Sequence, residues 1–154
     1  MPNVDARLAE LGITLPRRSP APAGVYVPAV VSGNLVLTAG QLPLVDGKLT
    51  VTGKVGAGVT PEDAHDCART SALNALSAVA EVLGTLDRVT RIVKVVGFVA
   101  SDPSFTAQPG VLDGASEVLG EVFGDAGVHA RSAVGVAALP LDSPVEVELI
   151  VEFV

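Results

Sequence analysis

The sequence predicts an α+β fold in which one mixed β-sheet carries two helices on one of its faces. Short apolar stretches bounded by turn residues are typical of strands, and two longer stretches have apolar residues at helical spacing. Their order along the chain is strands, a helix, a strand, a second helix and two final strands. One sheet covered by two helices is the simplest packing of these elements.

Residues 1–24 are predicted to be a lead-in to a single domain at residues 25–154. Within the lead-in, residues 6–11 favour a short helix that Gly12 ends, and prolines then keep the chain extended. A length of 154 residues suits one domain.

Two hairpins are expected before the first long helix. Gly33-Asn34 and Asp46-Gly47 tolerate positive φ and therefore favour tight turns. The strands that these turns join are predicted at residues 25–31 with 35–39, and at residues 42–45 with 48–51.

The two helices have different start signals. Thr60 can cap the first helix, Pro61 suits its first position, and Gly84 provides its end. Small residues recur along the inner face of this helix, so it can lie close to the sheet. The second helix is expected at residues 111–123, with Asp113 or a nearby residue as its cap.

The remaining strands are predicted at residues 91–100, 131–138 and 145–153. The first of them is apolar on both faces, so both faces are expected to be buried. Because two helices cover only one face of the sheet, we expect a homo-oligomer to cover the other.

The last two strands are expected to pair as a hairpin, which would create a candidate site. If Ala133 faces Glu146, then Arg131 faces Glu148, and all four side chains share one face of the sheet. A planar guanidinium can hold a carboxylate through two parallel hydrogen bonds, and a partly desolvated Glu can move a proton or activate water. The alternative is an Arg–Glu ion pair on a solvated face, which contributes little to stability.

Four other side chains allow more than one interpretation. His129 either lines the same cleft as Arg131 or lies on the surface, and Tyr26 belongs either to the core or to a site. Cys67 lies on the apolar stripe of the first helix, which favours a core position. His65 and His129 lack the spacing of metal ligands, so no metal site is expected.

Composition limits the partners and the location. A net charge of −7 without a basic cluster argues against nucleic-acid binding. With 49% apolar and 18% charged residues, a surface partly covered by other subunits is favoured over a monomer with an Ala/Val-rich core. One cysteine, no signal-peptide pattern and no apolar run of membrane-spanning length lead us to expect a cytoplasmic protein without membrane contact.

Three stretches of the sequence form a known pattern. The first comprises residues 24–28, Gly-Val-Tyr-Val-Pro, and residues 32–43, Ser-Gly-Asn-Leu-Val-Leu-Thr-Ala-Gly-Gln-Leu-Pro. The second comprises Asn74-Ala75-Leu76, Leu86-Asp87-Arg88-Val89 and Val96-Gly97-Phe98-Val99. The third, most specific stretch comprises Ala130-Arg131-Ser132, Leu139-Pro140 and Val145-Glu146-Val147-Glu148. Over residues 22–154 the pattern resembles the RidA/YjgF family, also called the L-PSP endoribonuclease-like family.

The resemblance implies a chorismate-mutase-like fold: a homotrimer with a central barrel, outer helices and a cleft between each pair of subunits. It also implies that reactive enamines and imines are hydrolysed to 2-keto acids and ammonia without a metal or cofactor. The catalytic residues would be Arg131, which clamps the substrate carboxylate, Glu146, which handles a water, and Tyr26, which lines the pocket.

The sequence departs from the family pattern at two positions of the expected substrate-binding set. Ala39, before Gly40, stands where the family has Ser, and Ala133 stands where it has Cys. The family's pocket Asn most nearly aligns with Asp113, and Glu148 completes the set.

Because the hydroxyl and the thiol are missing, two functions stay open. One is an imine deaminase, and the other is a non-catalytic trimer that binds a 2-imino or 2-keto acid. An RNase, suggested by the family's older name, is disfavoured by the acidic charge and the scarcity of aromatic residues. Chorismate mutase on the shared fold is a further alternative.

Overall fold

A computed structural model describes residues 3–154 and confirms the α+β class. Met1 and Pro2, which begin the predicted lead-in, lie outside the described residues. The helices are α1 (Val4–Glu10), α2 (Pro61–Leu83) and α3 (Gln108–Phe123). The strands are β1 (Ala29–Ser32), β2 (Leu35–Thr38), β3 (Leu44–Val45), β4 (Lys48–Leu49), β5 (Val89–Ala100), β6 (Ala130–Val136) and β7 (Val145–Phe153).

Five strands form one mixed sheet in the order β1-β2-β7-β5-β6, and β3 and β4 form a separate hairpin. β5 and β6 are parallel, whereas the other neighbours in the sheet are antiparallel. Parallel strands need a crossover, and α3 provides it between β5 and β6.

Side chains of one sheet face and the inner faces of α2 and α3 form the core. Val95 and Val147 of the sheet are fully buried in the same cluster as Ala68 and Ala72 of α2. The predicted face of small residues therefore does bring α2 close to the sheet. No helix within residues 3–154 combines the length and the apolarity needed to cross a membrane.

Most of the predicted ends of elements are confirmed. Thr60 accepts a hydrogen bond from the amide of Asp63 at 3.1 Å, and Gly84 ends α2 with a φ of 81°. The predicted cap of α3 is wrong, because α3 begins at Gln108 and Asp113 lies inside it. Pro109, in the first turn, needs no intrahelical hydrogen-bond acceptor and so permits this earlier start.

The lead-in adds its own side chains to the core. Val4 and Leu8 of α1 are buried, and the amide of Val4 donates to Asp87 at 2.7 Å. Farther along, the hydroxyl of Ser77 in α2 donates to the carbonyl of Pro16 at 2.8 Å. The lead-in is thus tied to the rest of the domain at Val4 and at Pro16.

The first predicted strand begins later than expected. Residues 25–27 are exposed and have no strand partner, and β1 starts at Ala29. Pro28 has no N–H to donate to a ladder, so pairing begins only after it.

The predicted hairpin of the last two strands is wrong. β5 lies between β6 and β7, so Arg131 is in register with Val95 and not with Glu148. Ala133 is in register with Gly97 and not with Glu146. The crossover through α3 places β6 along one edge of β5, and β7 pairs with the other edge.

Gly114 permits the closest approach of α2 and α3. A Cβ at Gly114 would collide with the carbonyl oxygen of His65, a backbone atom that cannot rotate away. We therefore expect Gly114→Ala to lower the free energy of unfolding by about 2 kcal/mol or more, measured by urea denaturation.

Gly120 provides the matched control, because it lies in the same helix and a Cβ added there would meet nothing within 4 Å. Gly120→Ala should raise the free energy of unfolding by about 0.5–1 kcal/mol, the usual helix preference of Ala over Gly. Equal effects of the two substitutions would contradict the close contact at Gly114.

Candidate functional site

The predicted site residues lie in two clusters on opposite faces of the sheet. Arg131 shares the register of Val95, whose side chain is buried under the helices. Glu146 and Glu148 are in register with Phe98 and Val96, which belong to the other face because side chains alternate along β5. Within one chain, Arg131 and Glu146 therefore do not meet.

The first cluster, here the acid cavity, is built around Glu146. Tyr26, Gly40 and Glu146 line this cavity of about 140 Å³ together with residues of the lead-in. A Cβ at Gly40 would lie only 2.5 Å from Oε2 of Glu146, so a side chain there would displace the carboxylate from its present position. The neighbouring Gln41 pairs with Val147 through two backbone hydrogen bonds, which fix this segment against β7.

Burial shapes the protonation of Glu146. Desolvation raises the pKa of this carboxyl, and the negative charge of Glu148, two residues along the same strand face, raises it further. Burial also raises the pKa of Glu148. A carboxyl with a raised pKa is better suited to accept and return a proton near neutral pH than an exposed one is.

The second cluster, here the arginine cluster, comprises Arg131, Asp113, Ser116 and His129. Nη1 of Arg131 donates to Oδ1 of Asp113 at 2.8 Å and to Oγ of Ser116 at 3.1 Å. Nη2 donates to the carbonyl of Pro109 at 3.2 Å. Asp113 is thus a partner of Arg131 and not a helix cap.

These contacts leave one edge of the guanidinium open. Of the five N–H donors of an arginine, the Nε–H and one Nη2–H of Arg131 have no partner among residues 3–154. Nε and Nη2 flank one edge of the planar fork, and this edge is an arrangement that can bind a carboxylate through two parallel hydrogen bonds. The Arg131 side chain is 22% exposed, so a ligand can reach it.

Within the arginine cluster, His129 contacts Ser116, which in turn contacts Arg131. The His129 ring lies 2.9 Å from Oγ of Ser116 through Nε2 and 2.6 Å from the carbonyl of Gly127 through Nδ1. Of the two interpretations of His129, the structure favours the one near Arg131. Ser116 was not among the predicted site residues, although its spacing of three residues from Asp113 on α3 predicts a shared helix face.

The other predicted positions have structural contacts. The amide of Ala39 donates to the carbonyl of Pro28 at 2.8 Å, and Ala133 packs against the core. Cys67 is buried in the core, as predicted, and burial raises the pKa of its thiol. His65 lies 3.2 Å from Glu117. Within the described part of the chain, no three His, Cys, Asp or Glu side chains are close enough to hold a metal ion.

A larger cavity of about 600 Å³ adjoins the acid cavity, and no pattern in the sequence predicted it. The lead-in, the β3–β4 hairpin and α2 form its walls. Pro20, Ala21 and Leu44 line both cavities, so the lead-in contributes to the surroundings of Glu146.

Comparisons with known proteins agree on one family. Residues 5–153 match the family described as "YjgF/chorismate_mutase-like, putative endoribonuclease". Protein TCP17 of Trypanosoma cruzi is 47% identical over 150 residues, which are 97% of this chain and 93% of that protein. The crystal structure of Atu1372 from Agrobacterium tumefaciens is 44% identical with a TM-score of 0.90, covering 98% of this chain and 92% of that one.

A third relative has a ligand in its solved structure. E. coli TdcF with bound serine is 28% identical with a TM-score of 0.62, covering 90% of this chain and 96% of that one. The family match spans nearly the whole chain, including α1 in the lead-in. The predicted resemblance and the chorismate-mutase-like fold are thus confirmed, and the chain belongs to the YjgF/chorismate mutase-like family.

Proposed function

We propose that this protein binds small 2-imino and 2-keto acids and hydrolyses the imines to 2-keto acids and ammonia. The observation that carries this proposal is the edge of Arg131 between Nε and Nη2, since the Nε–H and one Nη2–H have no partner among residues 3–154 and can donate to a carboxylate. A carboxylate ligand also suits the relative TdcF, whose solved structure holds serine, an amino acid with a carboxylate.

The proposed site is completed by a second subunit. Arg131 belongs to β6, an edge strand, whereas the acid cavity with Glu146 is on the other face of the sheet. Two different surfaces can make one site through head-to-tail contacts between copies, and such contacts form a ring where the rotation between copies closes. The family resemblance implies that this ring is a trimer.

Glu146 is the proposed base in this composite site. Its carboxylate takes a proton from a water, and the water oxygen adds to the imine carbon of a substrate that Arg131 holds by its carboxylate. Glu146 passes this proton to the imine nitrogen, which gives a tetrahedral carbinolamine. The carbinolamine hydroxyl then loses its proton to Glu146, which passes it to the amine as the C–N bond breaks, so that ammonia leaves with the 2-keto acid. One water is consumed for each imine, and positioning of the two reactants supplies much of the rate.

A second candidate function is ligand binding without catalysis. It is favoured by Ala39 and Ala133, which replace the hydroxyl and the thiol of the family pattern. An assay separates catalysis from binding alone. It measures the release of ammonia and 2-keto acid from freshly generated imines of several amino acids. An imine half-life that the protein does not shorten, combined with measurable 2-keto acid binding, would support the second function.

We expect the protein to be a trimer in solution. The uncovered sheet face carries Phe98 and the half-exposed Val134, which a neighbouring subunit would cover. Light scattering at micromolar concentration should give about three times the chain mass of 15.5 kDa. A mass of one chain would contradict both the trimer and the composite site.

We expect no salt-sensitive RNA binding near physiological ionic strength, despite the family's description as an endoribonuclease. Each chain carries a net charge of −7, so phosphate backbones are repelled and few counterions can be released. A gel-shift titration with generic RNA at several salt concentrations checks this. Tight binding that weakens as salt is added would revive the RNase hypothesis.

A further inference from the structure

Arg131 belongs to a series of hydrogen bonds that begins at the Gly127 carbonyl, here the hydrogen-bond series. The donor and the acceptor of each bond in it can be assigned. The carbonyl of Gly127 can only accept, so Nδ1 of His129, 2.6 Å away, carries the ring proton. In the neutral ring Nε2 is then an acceptor, and the Ser116 hydroxyl, 2.9 Å away, donates to it. A lone pair of Ser116 Oγ is left to accept from Nη1 of Arg131 at 3.1 Å.

The hydrogen-bond series begins in a closely packed turn. Gly127 ends a short 3₁₀ turn packed on α3, where a Cβ would collide with the carbonyl of Leu119. A side chain at position 127 would push this turn off the helix, so the close packing depends on glycine, and the Gly127 carbonyl accepts from His129 within this packed turn. The direction of the Ser116 hydroxyl therefore depends on the backbone of a neighbouring element.

The hydrogen-bond series reaches the guanidinium at Nη1, away from the edge between Nε and Nη2. Asp113 and Ser116 both accept from Nη1, and these two contacts restrict rotation of the fork and so hold the edge between Nε and Nη2 in one orientation. Asp113 is half exposed, so water competes with Arg131 for its carboxylate. The Ser116 hydroxyl, in contrast, is oriented by its hydrogen bond to His129.

We infer that Ser116 and His129 are positioning residues, which orient Arg131 for a carboxylate ligand without touching that ligand. This inference rests on the proposed function for its ligand, but not for the geometry of the hydrogen bonds.

The binding experiment uses calorimetric titration with 2-oxobutyrate as the probe. Ser116→Ala and His129→Leu each remove two hydrogen bonds of the hydrogen-bond series and should weaken the affinity about three- to tenfold. Ser116→Thr keeps the hydroxyl and His129→Gln keeps an acceptor near the position of Nε2, so both should stay within about twofold of wild type. In an Arg131→Ala background, Ser116→Ala should cause no further loss, since the group it orients is gone.

A second measurement needs no ligand. In ¹⁵N NMR spectra of the intact protein, the Nε–H signal of Arg131, assigned by its loss in Arg131→Lys, should be sharp in wild type and in Ser116→Thr. It should broaden in Ser116→Ala and His129→Leu, and the His129 ring should show the Nδ1–H tautomer.

The two measurements separate the failure of this inference from the failure of the proposed function. If 2-oxobutyrate does not bind but the Arg131 signal depends on Ser116 and His129, the ligand class is wrong and the positioning stands. If the Arg131 signal is unchanged in both variants, or if Ser116→Ala weakens binding equally with and without Arg131, the inference is overturned.

Discussion

Arg131→Ala should lower the affinity for a 2-keto acid such as pyruvate or 2-oxobutyrate by more than tenfold. The open edge of the guanidinium offers two charge-assisted hydrogen bonds, and a hydrogen bond to a charged group contributes roughly 1.5–3 kcal/mol. Calorimetric titration of wild type and variant measures the difference. Arg131→Lys should rescue the affinity poorly, because an ammonium lacks the planar fork.

Arg91→Ala provides the matched control, since Arg91 is an exposed arginine on the neighbouring strand β5 and outside the arginine cluster. It should leave the affinity unchanged. If Arg131 is only an ion-pair partner of Asp113, Arg131→Ala will change stability by under ~1 kcal/mol and leave ligand binding as it was. Unchanged binding would therefore refute the carboxylate clamp.

Local side-chain chemistry was sufficient to predict where most elements begin and end. Thr60 caps α2 and Gly84 ends it, because each satisfies backbone groups that a helix leaves unpaired. Asp46 and Gly47 have positive φ values of 51° and 78° and form the predicted turn of the β3–β4 hairpin. These interactions lie within a few residues, so the sequence contains all that determines them.

The order of strands depends on contacts between distant residues, and the hairpin prediction failed there. Strands that are adjacent in sequence usually pair, which made β6 and β7 the natural choice. The signal for the actual order was β5 itself, a strand of 12 residues that is apolar on both faces and so suits a central position. With β5 between them, Arg131 and Glu146 fall on opposite faces of the sheet, so two side chains that were predicted to share a face do not share it.

Glu146→Gln should abolish imine hydrolysis while 2-keto acid binding largely persists, because an amide cannot accept the proton of a water. The raised pKa of Glu146 adds a check: wild-type hydrolysis should fall as pH drops through that pKa and Glu146 becomes protonated. Glu148→Gln removes a neighbouring negative charge, so it should lower the pKa of Glu146 and move this fall to lower pH. Glu152→Gln, on the same face of β7, is the control and should retain hydrolysis.

Mixing the two impaired variants should then restore activity, and this is the sharpest test of a site shared between subunits. In oligomers refolded together from equal amounts of Arg131→Ala and Glu146→Gln chains, about a quarter of the composite sites combine an intact Arg131 with an intact Glu146. Hydrolysis should therefore recover to about a quarter of the wild-type rate, whereas a site within one chain would recover nothing. Wild type refolded with an equal amount of the double variant distinguishes the same two arrangements, since a shared site retains about a quarter of the activity and a site within one chain about half. A retained half, or no recovery from the two single variants, would mean that Arg131 and Glu146 do not act in one composite site.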